Sequence, residues 1–217
     1  MPTATPRVTI TPAGRAALAS PAQPTRRDLL LAALWTPGAG YAAWTARLDA
    51  IRALWAYLDD PAVVADLVAF GLADGRASNR LAAVRTLLPV VSEPAVRDAL
   101  VRLAQHDPCR AVRVLAVQAV EPLVPTDAAV PAALLDMLGS LGPEGPAAAA
   151  ALAGHVRHPH VRAACVARLR DDPHWRVRFR LVEALRTQVG DPLVRVAFRH
   201  VLAGPAPVAE PLAAAAA

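Results

Sequence analysis

The chain has 217 residues, 55% hydrophobic but only 4% aromatic, and a net charge of +5. That is enough apolar material for one large or two small domains, and the scarcity of aromatic and alternating β-branched runs argues against sheet. All 23 basic residues are arginine; the alanine excess points to base composition rather than phosphate chemistry as the reason, and without lysine a P-loop is excluded.

In chain order, residues 1–24 are rich in Pro, Thr and Ala and are expected to be flexible. Thr25-Arg26-Arg27-Asp28 followed by three leucines has the outline of a twin-arginine export signal. The apolar run is broken by Thr36-Pro37-Gly38-Ala39-Gly40, and no clean A-x-A site follows before the repeats begin. The preferred expectation for residues 25–40 is therefore an N-terminal capping helix and turn, with Thr25 and Asp28 as its capping box. Trp35, Tyr41, Trp44, Trp55 and Tyr57 crowd this end and are expected to pack the cap. Cys109 and Cys165 lie in no metal spacing, which suits a cytoplasmic chain; Cys165 falls on an apolar helical face and is expected in the core.

From residue 41 onward the chain repeats itself. The signature Asp-Pro-x-x-x-Val-Arg opens at Asp107 and again, about two periods later, at Asp172. Arg47, Arg80 and Arg113 are spaced by 33, and Arg178 follows. Val63, Val96, Val130, Val161 and Val194 form a second series at nearly the same interval, four of them closely following a proline. A fixed period in this range marks a stacked-repeat architecture. Within residues 107–139, Asp107 is expected to cap a helix with Pro108 at its first position. Val112, Leu115, Ala116, Ala119, Val120 and Leu123 then line one helical face. Pro122 and Pro125 end that helix, and Thr126 or Asp127 caps a second one carrying Val130, Ala133, Leu134, Met137 and Leu138. Five units follow: 41–73, 74–106, 107–139, 140–171 and 172–204. The fourth is degenerate, with Pro143-Glu144-Gly145-Pro146 and an alanine run in place of the signature. The tail, residues 205–217, is low-complexity and expected to be disordered.

Asp107 to Leu138 and Asp172 to Leu202 resemble HEAT repeats of the short bacterial kind, and the resemblance extends over roughly residues 41–204. It implies an all-α, right-handed α-solenoid of about five two-helix repeats behind the capping helix, with the Val-Arg helices on the concave face. It also implies a function in binding rather than catalysis: a scaffold or adaptor that holds another protein or peptide, with no cofactor. One HEAT-like family cleaves alkylated DNA bases with concave Trp and Asp residues; Asp172 and Trp175 come near that set without reproducing its motif.

Three groups of candidate residues follow. Arg47, Arg80, Arg113 and Arg178 are expected to pair with Asp74, Asp107 and Asp172 as a structural ladder between units, because a repeated position meets the same neighbour each time. On the next turn, Arg52, Arg85, Gln118, Ala151 and Glu183 form one exposed track and Trp55, Leu88, Glu121, Gly154 and Arg186 another. These tracks are mixed in charge, which suits a protein partner better than a nucleic acid. The partner-binding candidates are therefore Arg52, Trp55, Arg85, Gln118, Glu121, Glu183 and Arg186. The alternative, a nucleic-acid binder, draws on Arg176, Arg180 and Arg199, because only the last two units form a basic stretch. His155-x-x-His158-x-His160 has no companion Cys or carboxylate at a metal-site spacing, and no metal is expected there. No G-x-S-x-G or G-x-G-x-x-G occurs.

Overall fold

The computed structural model describes residues 23–38 and 40–203; the expected tail at 205–217 and nearly all of the expected flexible stretch 1–24 lie outside them. All regular structure among the described residues is helical. The helices are α1 (Arg26–Trp35), α2 (Tyr41–Ala53), α3 (Pro61–Asp66), α4 (Ala77–Leu87), α5 (Pro94–His106) and α6 (Arg110–Val120). After them come α7 (Ala129–Met137), α8 (Glu144–His155), α9 (Pro159–Asp171), α10 (Trp175–Leu185) and α11 (Pro192–Ala203). None is long and apolar enough to cross a membrane.

Helix starts follow from side-chain oxygens that satisfy the orphan amides of the first turn. Thr25 and Asp28 close a reciprocal capping box on α1: the Asp28 amide donates to Thr25 Oγ1 at 3.2 Å and the Thr25 amide to Asp28 Oδ2 at 3.0 Å. Asp60, Asp127 and Asp191 accept from the amides of Ala62, Ala129 and Leu193 at the starts of α3, α7 and α11. The signature aspartates sit earlier than expected. Asp74, Asp107 and Asp172 accept from the amides of Arg76, Cys109 and His174 at 2.7–2.8 Å. Cys109, rather than Asp107, is the N-cap of α6, and Pro108 stays outside the helix. The aspartate closes a turn before the helix, which leaves its second oxygen available to the preceding unit.

The helices pack in two rows. The first helix of each unit lies against that of the next: α2 on α4, α4 on α6, α6 on α8 and α8 on α10. The second helices do likewise, α5 on α7, α7 on α9 and α9 on α11, while α1 packs on α2. One continuous core runs from Leu31 to Ala197. Val63, Val96, Val130, Val161 and Val194 are all fully buried in it, which accounts for their spacing. Burying each valine contributes about 1.5–3 kcal/mol. Cys165 is buried too, and burial pushes its thiol up to about 12.

Two ladders of ion pairs join the units. In the first, Arg47 Nε reaches Asp74 Oδ2 and Arg80 Nε reaches Asp107 Oδ2, both at 2.7 Å, as the sequence predicts. The ladder then changes partners. Arg113 pairs with Glu144 at 3.2 Å, because Ser140 stands at the aspartate's place and its hydroxyl accepts from the Gly142 amide at 3.1 Å instead. Asp172 is taken by Arg168 of α9 at 2.6 Å, and Arg178 donates to the Asp172 and Pro173 carbonyls at 2.8 and 2.9 Å. The second ladder links the second helices and was not read from the sequence: Arg27 to Asp60, Arg97 to Asp127, and Arg162 to Asp191.

Burial pushes the carboxyls of Asp74 and Glu144 up, yet both end below their ordinary values. The Arg76 amide, Arg47 and Asn79 outweigh burial at Asp74; the Ser140 hydroxyl, a backbone amide and Arg113 do so at Glu144. A lowered carboxyl contributes stability that is complete above its unfolded pKa of about 4 and is lost as pH falls through the folded value. Thermal melts from pH 7 to pH 3 should therefore show the gap between the native chain and D74N closing toward acid pH. Parallel melting profiles would exclude Asp74 as a source of acid sensitivity.

Candidate functional site

The partner-binding candidates lie on the first helices and the short turns that end them. Arg52, Arg85, Gln118, Glu183 and Arg186 are exposed, and Trp55 is 62% exposed. Glu121 is half-buried, 3.8 Å from His155 Nε2. Ala151 departs from its track. It is buried with Glu144, Gly145, Ala148 and Leu152 on one face of α8, and Ala150 takes the exposed place. The cause is local: Glu144 is drawn to Arg113 and Leu152 into the core, which sets the rotation of a helix otherwise made of small residues.

On its exposed side α8 borders a groove of about 650 Å³ shared with α10. Its floor is Pro146, Ala149, Ala150 and Ala153; its far wall carries Trp175 and Phe179, one helical turn apart and 43% and 59% exposed. The exposed sides of α2, α4 and α6 carry Arg52, Arg85 and Gln118, whereas α8 presents Pro146 and alanines to the groove and no long side chain that would cover Phe179. Exposed aromatics beside an apolar floor form an apolar surface whose covering would remove area from water. Arg176, Glu183 and Arg186 edge the groove, bringing two of the partner candidates together with a nucleic-acid candidate.

The arginines of the groove differ in freedom. Arg176 stacks on Trp175, its guanidinium carbon 5.2 Å from the ring centre, a cation–π contact. Arg180 runs beneath: its Nη1 donates to the Leu138 carbonyl and, at 2.9 Å, to the Ser140 carbonyl. It thereby satisfies carbonyls left open at the end of α7. Gly145 makes room for it, since a Cβ there would collide with the Arg180 guanidinium and stand 2.9 Å from the Ser140 oxygen. Arg199 is exposed on α11, outside the groove lining. Asp172, near Trp175, is buried with its carboxylate engaged by Arg168 and the His174 amide.

Phe179 and the alanine floor were missed in the sequence, though a signal for Phe179 existed. Val177 and Leu181 carry the core face of α10, so Trp175, two residues before Val177, and Phe179, two from both, fall away from it. At the other end of the chain, Trp44 is tied down by its Nε1 bond to Ser78 Oγ at 2.9 Å, with Tyr41 edge-on to its ring. Trp35 meets Phe70 with ring centres 6.2 Å apart. Trp35, Tyr41 and Trp55 nonetheless stay exposed. The rings of His155, His158 and His160 succeed one another at 6.0 and 6.2 Å, and among the described residues no group of three His, Cys, Asp or Glu could hold a metal ion.

Comparison with protein-family models and with curated proteins gives no match for this chain.

Proposed function

We propose that this chain is a non-catalytic scaffold: a right-handed α-solenoid of HEAT-like units whose first helices form a concave face that holds a partner protein. The two rows of helices and the repeating ion-pair ladder support the architecture. The observation that carries the function is the groove between α8 and α10, where Trp175 and Phe179 stand exposed beside an alanine floor. Large aromatics with nearby arginines are the residues that dominate protein–protein binding energy. The mixed charges of Arg52, Arg85, Gln118, Glu183 and Arg186 along the same row fit a protein surface better than a phosphate backbone.

Two measurements separate this reading from a nucleic-acid binder acting through Arg176, Arg180 and Arg199. Labelled duplex and single-stranded DNA should bind no tighter than the roughly 10⁻⁴–10⁻⁶ M of non-specific association at physiological salt. Affinity capture from native lysate should return a protein that is lost with F179A and with R85E. Tight, salt-resistant DNA binding lowered by R176A would overturn the scaffold.

A further inference from the structure

We infer that the groove between α8 and α10 is a receptor for a short amphipathic helix with an acidic flank. This deepens the scaffold reading and rests on it. The geometry of the floor comes first. Pro146, Ala149, Ala150 and Ala153 follow i, i+3, i+4, i+7, so they form one ridge of a helix, and that ridge is made only of small side chains. On the facing wall, Trp175 and Phe179 form a ridge of one turn. The two walls are the first helices of successive units, packed side by side. A third helix can settle in the valley between two such helices when the residues beneath it are small, because interaxial distances of about 8–10 Å depend on the side chains at the contact. The 12 residues of α8 extend about 18 Å, so the matching segment has about three turns.

The chemistry of the occupant follows from the lining. Its buried side would carry apolar residues at helical spacing, the usual anchors of a helix laid in a groove. Its flank would be acidic, because Arg176 and Arg186 at the edges and Arg180 beneath contribute three positive charges against one carboxylate, Glu183. Arg180 is already held by two carbonyls, whereas the Arg186–Glu183 pair is exposed and 3.9 Å long and holds Arg186 only weakly. That leaves Arg176 and Arg186, at opposite ends of the α10 wall, to meet the acidic side chains.

The test uses the full chain labelled with 5-fluorotryptophan and read by ¹⁹F NMR. The Trp175 and Trp55 signals are assigned with W175F and W55F. The probe is a synthetic blocked peptide long enough for about four helical turns, with Leu at i, i+3, i+4 and i+7, Glu on one flank and Ala elsewhere. We expect it to shift the Trp175 signal saturably and leave Trp55 unmoved. Changing its Glu to Lys should weaken binding on the order of tenfold, since attraction at two exposed ion pairs becomes repulsion. A central proline should abolish the shift, and so should A150E, a change at an exposed position. A shift of Trp55 alone would overturn the groove while leaving a scaffold that binds elsewhere on the same row. Movement of Trp175 with oligo-dT and with no peptide would overturn both the helix receptor and the scaffold. No shift with any probe up to about 1 mM, the weak limit of useful recognition, would overturn the receptor.

Discussion

Asp107→Ala is expected to destabilise the protein by about 3–5 kcal/mol, the range for removing one partner of a buried ion pair. Asp107 receives two parallel bonds from Arg80, Nε to Oδ2 at 2.7 Å and Nη2 to Oδ1 at 2.8 Å, and both side chains are almost wholly buried. Its Oδ1 also accepts from the Cys109 amide at the start of α6. Truncation leaves a guanidinium buried with only the Asp74 carbonyl, 2.7 Å from Nη1, to hold it. Equilibrium urea unfolding measures the loss. R80A should cost a similar amount, and the double variant much less than the sum, because the worst term is the orphaned charge rather than the missing pair. R178A is the control. Among the described residues Arg178 answers no acidic partner and donates to two carbonyls of its own unit, so its loss should cost about 1–3 kcal/mol, the worth of two hydrogen bonds and less than D107A. If D107A costs no more than R178A, the ladder does not hold the units together.

Leu152→Ala should cost about as much, roughly 3–5 kcal/mol, near the top of the range for leucine truncation. Cavity cost depends on whether the surroundings can collapse, and α8 itself has nothing to fill the gap. Leu152 is the one large side chain of α8 and is fully buried; the rest of that helix offers alanines, glycines, Pro146 and its two charged or titratable ends. No neighbouring bulk on α8 can swing into the gap. Leu141, 80% exposed in the same unit, gives the contrast, and L141A should stay within about 0.5 kcal/mol. Denaturant midpoints distinguish these outcomes. Since Leu152 also sets the rotation that exposes Ala150, L152A at temperatures where it stays folded should reshape the groove and weaken any ligand there.

The legible parts of this molecule are those where one residue type answers one repeated physical need. The buried valines recur because each second helix presents the same turn to the core, and the Asp-Arg pairs at 74–47 and 107–80 recur because the same position meets the same neighbour. Legibility failed where that need was met by different chemistry. Ser140 replaces an aspartate in the turn, Glu144 replaces it in the ion pair, and the resulting rotation of α8 buries Ala151. The second ladder escaped because the separation of its partners shortens from Arg27–Asp60 to Arg162–Asp191 as the turns change length, so no fixed period reveals it. The Arg180 contact escaped for another reason. It joins positions farther apart in the chain than one unit, and depends on a glycine lying between them.

That last contact bears on how such a chain can change in length. Stacked repeats ordinarily gain or lose whole units by duplication and deletion, because each unit touches only its neighbours and any two neighbours fit. Arg180 belongs to the fifth unit and grips both the Leu138 carbonyl at the end of the third and the Ser140 carbonyl that opens the fourth, a reach for which Gly145 leaves the room. A unit inserted beside the fourth would move Arg180 out of reach of its carbonyls, and a standard unit put in its place would block the path with a side chain. The contact therefore predicts a fourth unit of fixed length, with the three units from 107 to 203 gained or lost only together.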